Sequence, residues 1–592
     1  MPLRVRQAMA VLLLGGAFAG ALSLALGARL DRAQFTYNNG TEVSTLDPAT
    51  VTGQPEGRVI RAIFEGLVIK DPKTLAPLPG MAESWEISPD GLVYTFHVRH
   101  NAKWTNGDPV TAHDFTFSAE RFLSPVTAAE YSYQLWYVKG AKAYTTEVDD
   151  DGKPVHDFDS VAFKALDDFT IEIELNSPTP FFLDIIGFYP LFPVNRRNIE
   201  EAQVNWPNRW EIEWLRPANI VTNGPYKIAY RRVNDRIRLV KNHDYWDADH
   251  VAFESIDVLA VEHYGTIMNL YLTGGVDWID RVAPNIIPRI LPREDFRPTP
   301  FLSSYFYRVN VTRPPMDDPL VRRALSLAID RQTIVDKIMK AGQLPAYALV
   351  PPGITGYVNA ELQRGTGESG DAFEADVALA QELLAQAGYG PDGKPFPTIE
   401  IHYNTSEAHR DIALVVANGW KRRLGIDAKL LNQEWKVYLD TQSNLGYDIS
   451  RSGWIADYAD PNTYLDLFLT NGENNKTGWG NPEYDRLIAA AAKEFDPEVR
   501  MRIMHDAEAI LMDEMPIFPI YYYVSQSVVA PRMGGWFNNV QDEHFPKFWY
   551  WMDDAELAEK RAQQPAEWEL VDPHGPPEGL YSPAQARARR AP

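Results

Sequence analysis

The stretch SWEISPDGLVYTFHVRH, Ser84–His100, does most to limit what this chain can become. Tyr94, Phe96 and Val98 alternate with Thr95, His97 and Arg99, the period-two pattern of a half-buried strand. Asp90-Gly91 is a hairpin turn pair, which makes Ser84–Ser88 the partner strand. KALDDFTIEIEL, Lys164–Leu175, repeats the pattern with Asp167-Asp168 as its turn. Helical signals are interleaved. Asp318 as N-cap and Pro319 at N1 open a helix that runs to a stop at Gly342. Its Leu320, Ala324, Leu327, Ile334 and Ile338 lie close to one face. Asp376–Gly388 reads as a second amphipathic helix, and Asn481–Met515 as two more, broken near Asp496-Pro497. The pattern is α/β, and 592 residues outgrow one core, so two to four domains are expected.

Aromatic residues make up 12% of the chain, enough to line wide clefts as well as cores. The net charge of -23 disfavours non-specific binding to nucleic acid or anionic lipid. No cysteine is present, so disulfides, thiolate metal sites and a cysteine nucleophile are excluded. Arg4 and Arg6 precede an uncharged run, Ala8–Ala28, that reads as a secretory signal over residues 1–28. The same run is long enough to span a bilayer, so an uncleaved anchor is the alternative. Either way the remainder is expected to be soluble and periplasmic. Residues 361–376 suit a surface loop, and the proline-rich tail from about Asp554 is expected to be poorly ordered.

Nucleotide-binding glycine loops, a nucleophile elbow and a zinc-protease motif are all absent. His402 and His409 are seven apart with no third ligand nearby, which suits a structural or solvent-facing role. No metal or cofactor is expected. One stretch stands out: RSGWIADYADP, Arg451–Pro461, sets charged residues among Gly, Trp, Ile, Ala and Tyr. If Asp457 lies against the Trp454 and Tyr458 rings, a ligand can supply its missing countercharge; a loop or turn role is the plainer alternative. Asp460 before Pro461 reads as the N-cap of a following helix. Asp457 with a second acid such as Asp460 also leaves open a secreted hydrolase.

The residues also carry a family resemblance. YNNGTEVSTLDPATVTG and the long stretch from Ile63 to Pro125, IFEGLVIKDPKTLAPLPGMAESWEISPDGLVYTFHVRHNAKWTNGDPVTAHDFTFSAERFLSP, resemble the large periplasmic peptide-binding proteins of ABC importers. So do RPANIVTNGPYKI, LVKNHDYWD, VRRALSLAIDR, LPAYALVPP, YNTSEAHRDIALVVANGWKRRLGI, NQEWKVYLDT, RSGWIADYADP and FPIYYYV. The likeness covers roughly residues 35 to 551 and leans towards the oligopeptide-binding branch.

That resemblance implies a class II, two-lobed periplasmic binding protein fold of three domains, closing by a hinge around the ligand. Domain I would comprise 29–64, 195–298 and 524–553. Domain II would be an insertion at 65–194, domain III a lobe at 299–523, and 554–592 a tail. Expected partners are short peptides and an inner-membrane ABC permease; the protein would be a monomer performing no chemistry. Asp457 matches the aspartate that pairs with the peptide's α-amino group. Arg451, Gly453, Trp454 and Ile455 fall on the edge segment that bonds the peptide main chain. Trp435, Trp454 and Tyr131 match pocket walls, with core packing as their alternative. Arg451 and His409 match positions near the peptide's C-terminal carboxylate, and Gln54, Tyr522 and Tyr523 complete the expected set. Departures are Gln442 in place of an arginine, Thr52 and Gln54 in place of glutamate and valine, and Phe188 in place of a histidine. A murein-derived peptide or another small cationic solute is the alternative ligand.

Overall fold

Three sheets carry the architecture of the computed structural model, which describes residues 31–564 except 180, 355, 366–371, 391–392 and 495. The expected signal at 1–28 and the tail beyond 564 lie outside the described residues. Strand β1, Phe35–Asn38, is buried along its whole length and so shows no alternation. It pairs in parallel with Ser255–Leu259 and Trp278–Ile279 at the centre of a six-stranded sheet. Helix α1, Gln54–Ile63, follows it. The hairpin around Asp90-Gly91 forms as expected, with Ile87 opposite Tyr94 and Gly91 at φ +70°, a left-handed conformation that glycine adopts without strain. It joins Phe163–Asp167 and Thr170–Glu174 in a four-stranded antiparallel sheet. There Asp167 pairs with Thr170, so the turn residues are Asp168 and Phe169, one later than expected. The shift has a cause: the Asp167 carboxylate accepts the Phe169 N–H at 2.8 Å.

The third sheet is six-stranded and mixed. Its centre is β2, Pro300–Val309, antiparallel to both β3, Ile449–Ile455, and β4, Ile517–Val524. Helix α2, Glu407–Leu424, starts at a Ser406 cap and ends on Gly425 at φ +70°. Its Trp420 is fully buried, with the indole N–H donated to the Leu325 carbonyl at 2.9 Å. Truncating such a side chain costs about 3–5 kcal/mol.

Three expectations need correction. The helix opened by Asp318 and Pro319 does not run to Gly342; it ends at Leu327 and restarts at Arg331 under an Asp330 cap. The break lets the fully buried Arg331 donate to the carbonyls of Ala346, Pro519 and Ser326. Residues 361–376 are not a loop throughout: a helix begins at Ala372, and the buried Asp376 carboxylate accepts from Arg364 and from the Gly365 N–H. The tail is ordered past Asp554 as a helix to Ala562, closed by an Asp553–Glu556 capping box and an Arg561–Glu294 ion pair. The helices Pro482–Ala491 and Pro497–Glu514 form as read, the second capped by Asp496.

Candidate functional site

Strand β3 determines the site. Along one edge it pairs with β2 from Ile449 to Ile455. Along the other, the strand Ile399–Asn404 reaches only Ile449 and Ser450, so beyond Ser450 no strand pairs that edge among the described residues. The open edge faces a cavity of about 310 Å³ lined by all three sheets' surroundings, including Arg451–Asp457 in an unbroken run.

Asp457 stands just past the end of β3. Its residue surface is 8% exposed, and its carboxylate accepts from Gln134 Nε2 at 3.1 Å and Thr463 Oγ1 at 3.4 Å. No cation lies within ion-pair distance of it among the described residues. Burial pushes its carboxyl up to about 8, against a partial pull downward from the Lys70 ammonium. Of the two rings expected against it, the buried Trp454 shares Thr463 Oγ1 with the Asp457 carboxylate through its indole N–H, while the buried Tyr458 directs its hydroxyl to Asp466. Asp460 accepts the Asn462 N–H at 2.9 Å, as a capping residue does, and both its oxygens are held by Arg500. The Asp457–Asp460 pair therefore does not present two free acids to one bond.

At the other end of the run, Arg451 donates to the Tyr523 hydroxyl at 2.6 Å and lies 5.0 Å from the Tyr305 ring centroid. It has no carboxylate partner among the described residues, and its Nε is buried without a hydrogen bond. His409 is buried beside it. Burial, with the Arg451 and Arg281 charges, pushes its imidazole well below the ordinary range, so it is neutral. The remaining charges on the lining are largely paired: Arg61 with Glu543, Lys476 with Glu130, and Arg58 with Asp280. Arg308, also buried, is held by the Ser452 hydroxyl.

The structure brings Asp457, Arg451, Gly453, Trp454, Ile455, Trp435, His409, Tyr131, Gln54 and Tyr523 to this one cavity. Tyr131 packs on Trp454, with centroids 5.8 Å apart, and on Phe188; Trp435 stacks on Tyr438. Tyr522 is the exception. Side chains alternate along β4, so Tyr521 and Tyr523 face the cavity while Tyr522 turns away and donates to the Ala348 carbonyl at 3.1 Å. Gln442, standing where an arginine was expected, points its amide at the Arg451 carbonyl, the Ser450 hydroxyl and the Tyr438 hydroxyl. Arg281, Tyr264 and Tyr521 also line the cavity; nothing in the local sequence marked Arg281 or Tyr264 for this role, while Tyr521 lies in the FPIYYYV stretch that did. Among the described residues no cluster of three or more His, Asp or Glu could hold a metal ion, and no helix is long and apolar enough to cross a membrane.

The family described as "Bacterial extracellular solute-binding proteins, family 5 Middle" matches residues 76–476. The chain is 38% identical over 528 residues to the periplasmic oligopeptide-binding protein OppA of Salmonella typhimurium, covering 88% of this chain and 93% of that one. Among solved structures, Haemophilus influenzae OppA in complex with RPPGFSPFR superposes with a TM-score of 0.81 at 32% identity, over 88% of this chain and all of the other. The unliganded open form of the murein tripeptide-binding protein MppA, 33% identical over 89% and 99% of the two chains, superposes at 0.59.

Proposed function

Because the chain belongs to the family 5 bacterial extracellular solute-binding proteins, we propose that it captures short peptides in this cavity and delivers them to a membrane-embedded ABC permease. One observation carries the reading: an acid and a base without ion-pair partners, the buried Asp457 and the half-buried Arg451, stand at the two ends of one open strand edge. A free peptide has an ammonium at one end and a carboxylate at the other. The ammonium would meet Asp457, and the planar fork of Arg451 suits the carboxylate. Between them the peptide main chain would add a strand to the free edge of β3, which recognises the backbone and leaves the side chains unspecified. Tyr131, Trp435 and Trp454 would wall the side-chain spaces, where water adapts to different guests at small cost. Tyr521 takes the place first given to Tyr522.

Its named relatives are binding proteins rather than enzymes, in keeping with an assembly in which Arg500 holds Asp460. The three-domain division with the boundaries above belongs to the same proposal. It is supported by the sheets: one draws strands from 35–38, 226–259, 278–279 and 528–529, the second from 82–174, and the third from 300–524. A periplasmic location, a processed signal at 1–28 and a monomeric state complete the reading.

The test is incubation with a mixed pool of peptides, murein-derived ones included, followed by mass spectrometry of what stays bound. Intact short peptides are expected. Cleaved products would instead make the protein a hydrolase, and an empty protein would remove peptides as its ligands.

A further inference from the structure

Arg281 lies in the same corner as Arg451 and His409 but is not committed as they are. It is on the cavity lining, yet its side chain keeps 44% of its surface accessible. Its Nε donates to Asp280 at 3.0 Å, and its two terminal nitrogens bond to no protein atom among the described residues. Asp280 is shared, since Arg58 also reaches it at 3.3 Å. Glu262 lines the cavity too, bonded to Thr41, but is within ion-pair distance of neither guanidinium. This corner therefore holds three guanidiniums, Arg58, Arg281 and Arg451, against one carboxylate, and its histidine is neutral.

A single peptide carboxylate would balance Arg451 and leave Arg281 without a full partner. We infer that Arg281 is a specificity-determining residue that favours peptides whose last residue carries a second carboxylate. The inference rests on the peptide reading above. An acidic side chain at the C-terminal residue reaches the free end of Arg281 while the α-carboxylate occupies Arg451, and a guanidinium fork binds such a group through paired hydrogen bonds. A neutral amide of the same shape gains only a single uncharged bond.

The experiment is calorimetric titration of the parent and of Arg281→Gln with Ala-Ala-Glu, Ala-Ala-Gln and Ala-Ala-Ala, with thermal melting to check that the variant is folded. The parent should bind Ala-Ala-Glu about tenfold more tightly than Ala-Ala-Gln. Arg281→Gln should bring that ratio close to one, and Arg281→Lys should keep part of it. Equal binding of the two peptides by the parent, or a ratio unchanged in Arg281→Gln, overturns the inference while leaving peptide binding intact. If none of the three peptides binds the parent, the peptide reading falls and the inference falls with it.

Discussion

Lys70 approaches Asp457 through the backbone, not the carboxylate: its ammonium is 3.2 Å from the Asp457 carbonyl oxygen, while its charge is met by Glu543 at 3.2 Å. Gln541 takes a third position on the same ammonium at 3.1 Å. The nearest lysine thus anchors the end of β3 without forming an ion pair with the acid that follows it. Asp457 is left buried without an ion-pair partner, so its carboxyl holds its proton until a cationic guest draws out the carboxylate.

The first consequence is energetic. Asp457→Asn keeps an acceptor for Gln134 and Thr463 but removes the charge. It should weaken binding of free-amine peptides by on the order of 10²–10³, since breaking a buried charge pair costs about 3–5 kcal/mol. The variant should melt no lower than the parent. Titration calorimetry with free and N-acetylated peptides checks this: the parent should discriminate between them and the variant should not. Equal affinity of the parent for both would remove Asp457 from the site.

A second consequence is a pH dependence with a definite sign. The Asp457 carboxyl in the folded, empty protein is pushed up to about 8, well above its value in an unfolded chain. The folded state therefore holds a proton that the unfolded state has lost, and this group makes the empty protein less stable as pH rises from about 4 towards 8. A peptide ammonium requires the carboxylate, so binding must expel that proton. Affinity should rise roughly tenfold per pH unit between pH 5 and 7, then level off near 8, where the α-amino group itself begins to lose its charge. Calorimetry at pH 6 in buffers of different ionisation enthalpy should show release of about one proton. Binding without proton release would mean the carboxyl is already ionised.

A third concerns enclosure. Phe181 stacks on Tyr458 with centroids 4.3 Å apart and rings within 2° of parallel, and Arg500 sits 5.8 Å from the Phe181 centroid. Nearby, Asn462 donates to the Tyr137 hydroxyl at 2.6 Å. These contacts bridge the 130–181 region to the segment carrying Asp457. An aromatic pair adds about 0.5–1.5 kcal/mol beyond its buried area. Phe181→Ala should therefore weaken peptide binding by about two- to tenfold and enlarge the radius of gyration of the empty protein in small-angle scattering. Unchanged affinity and dimensions would show that the stack takes no part in closure.

How far the sequence reveals all this varies with the kind of signal. Local chemistry was legible: the Asp90-Gly91 turn, the helix break at Asp496-Pro497 and the alternation of Val93–Val98 each follow from a few neighbouring residues. The break after Leu327 was not, because its cause is Arg331 reaching carbonyls at Ala346 and Pro519, far away along the chain. The same division holds in the cavity. Asp457 and Arg451 stand out as charges among apolar neighbours, but Tyr522 was misassigned because YYY gives no phase for the alternation of β4. Arg281 was missed because its neighbours, Asp280 and Val282, look like any turn after a strand.

One covalent fact about β3 bears on which guests fit. Arg451 and Asp457 are six residues apart, the chain between them being strand as far as Ile455 and then turning into a bend at Asp457, so their Cα atoms can be no more than roughly 20 Å apart at about 3.3 Å per step. The two poles are thus fixed to a single ruler that hinge motion cannot stretch. A visitor too short or too long for that gauge would have to forfeit one pole, unless water or another side chain stands in for it.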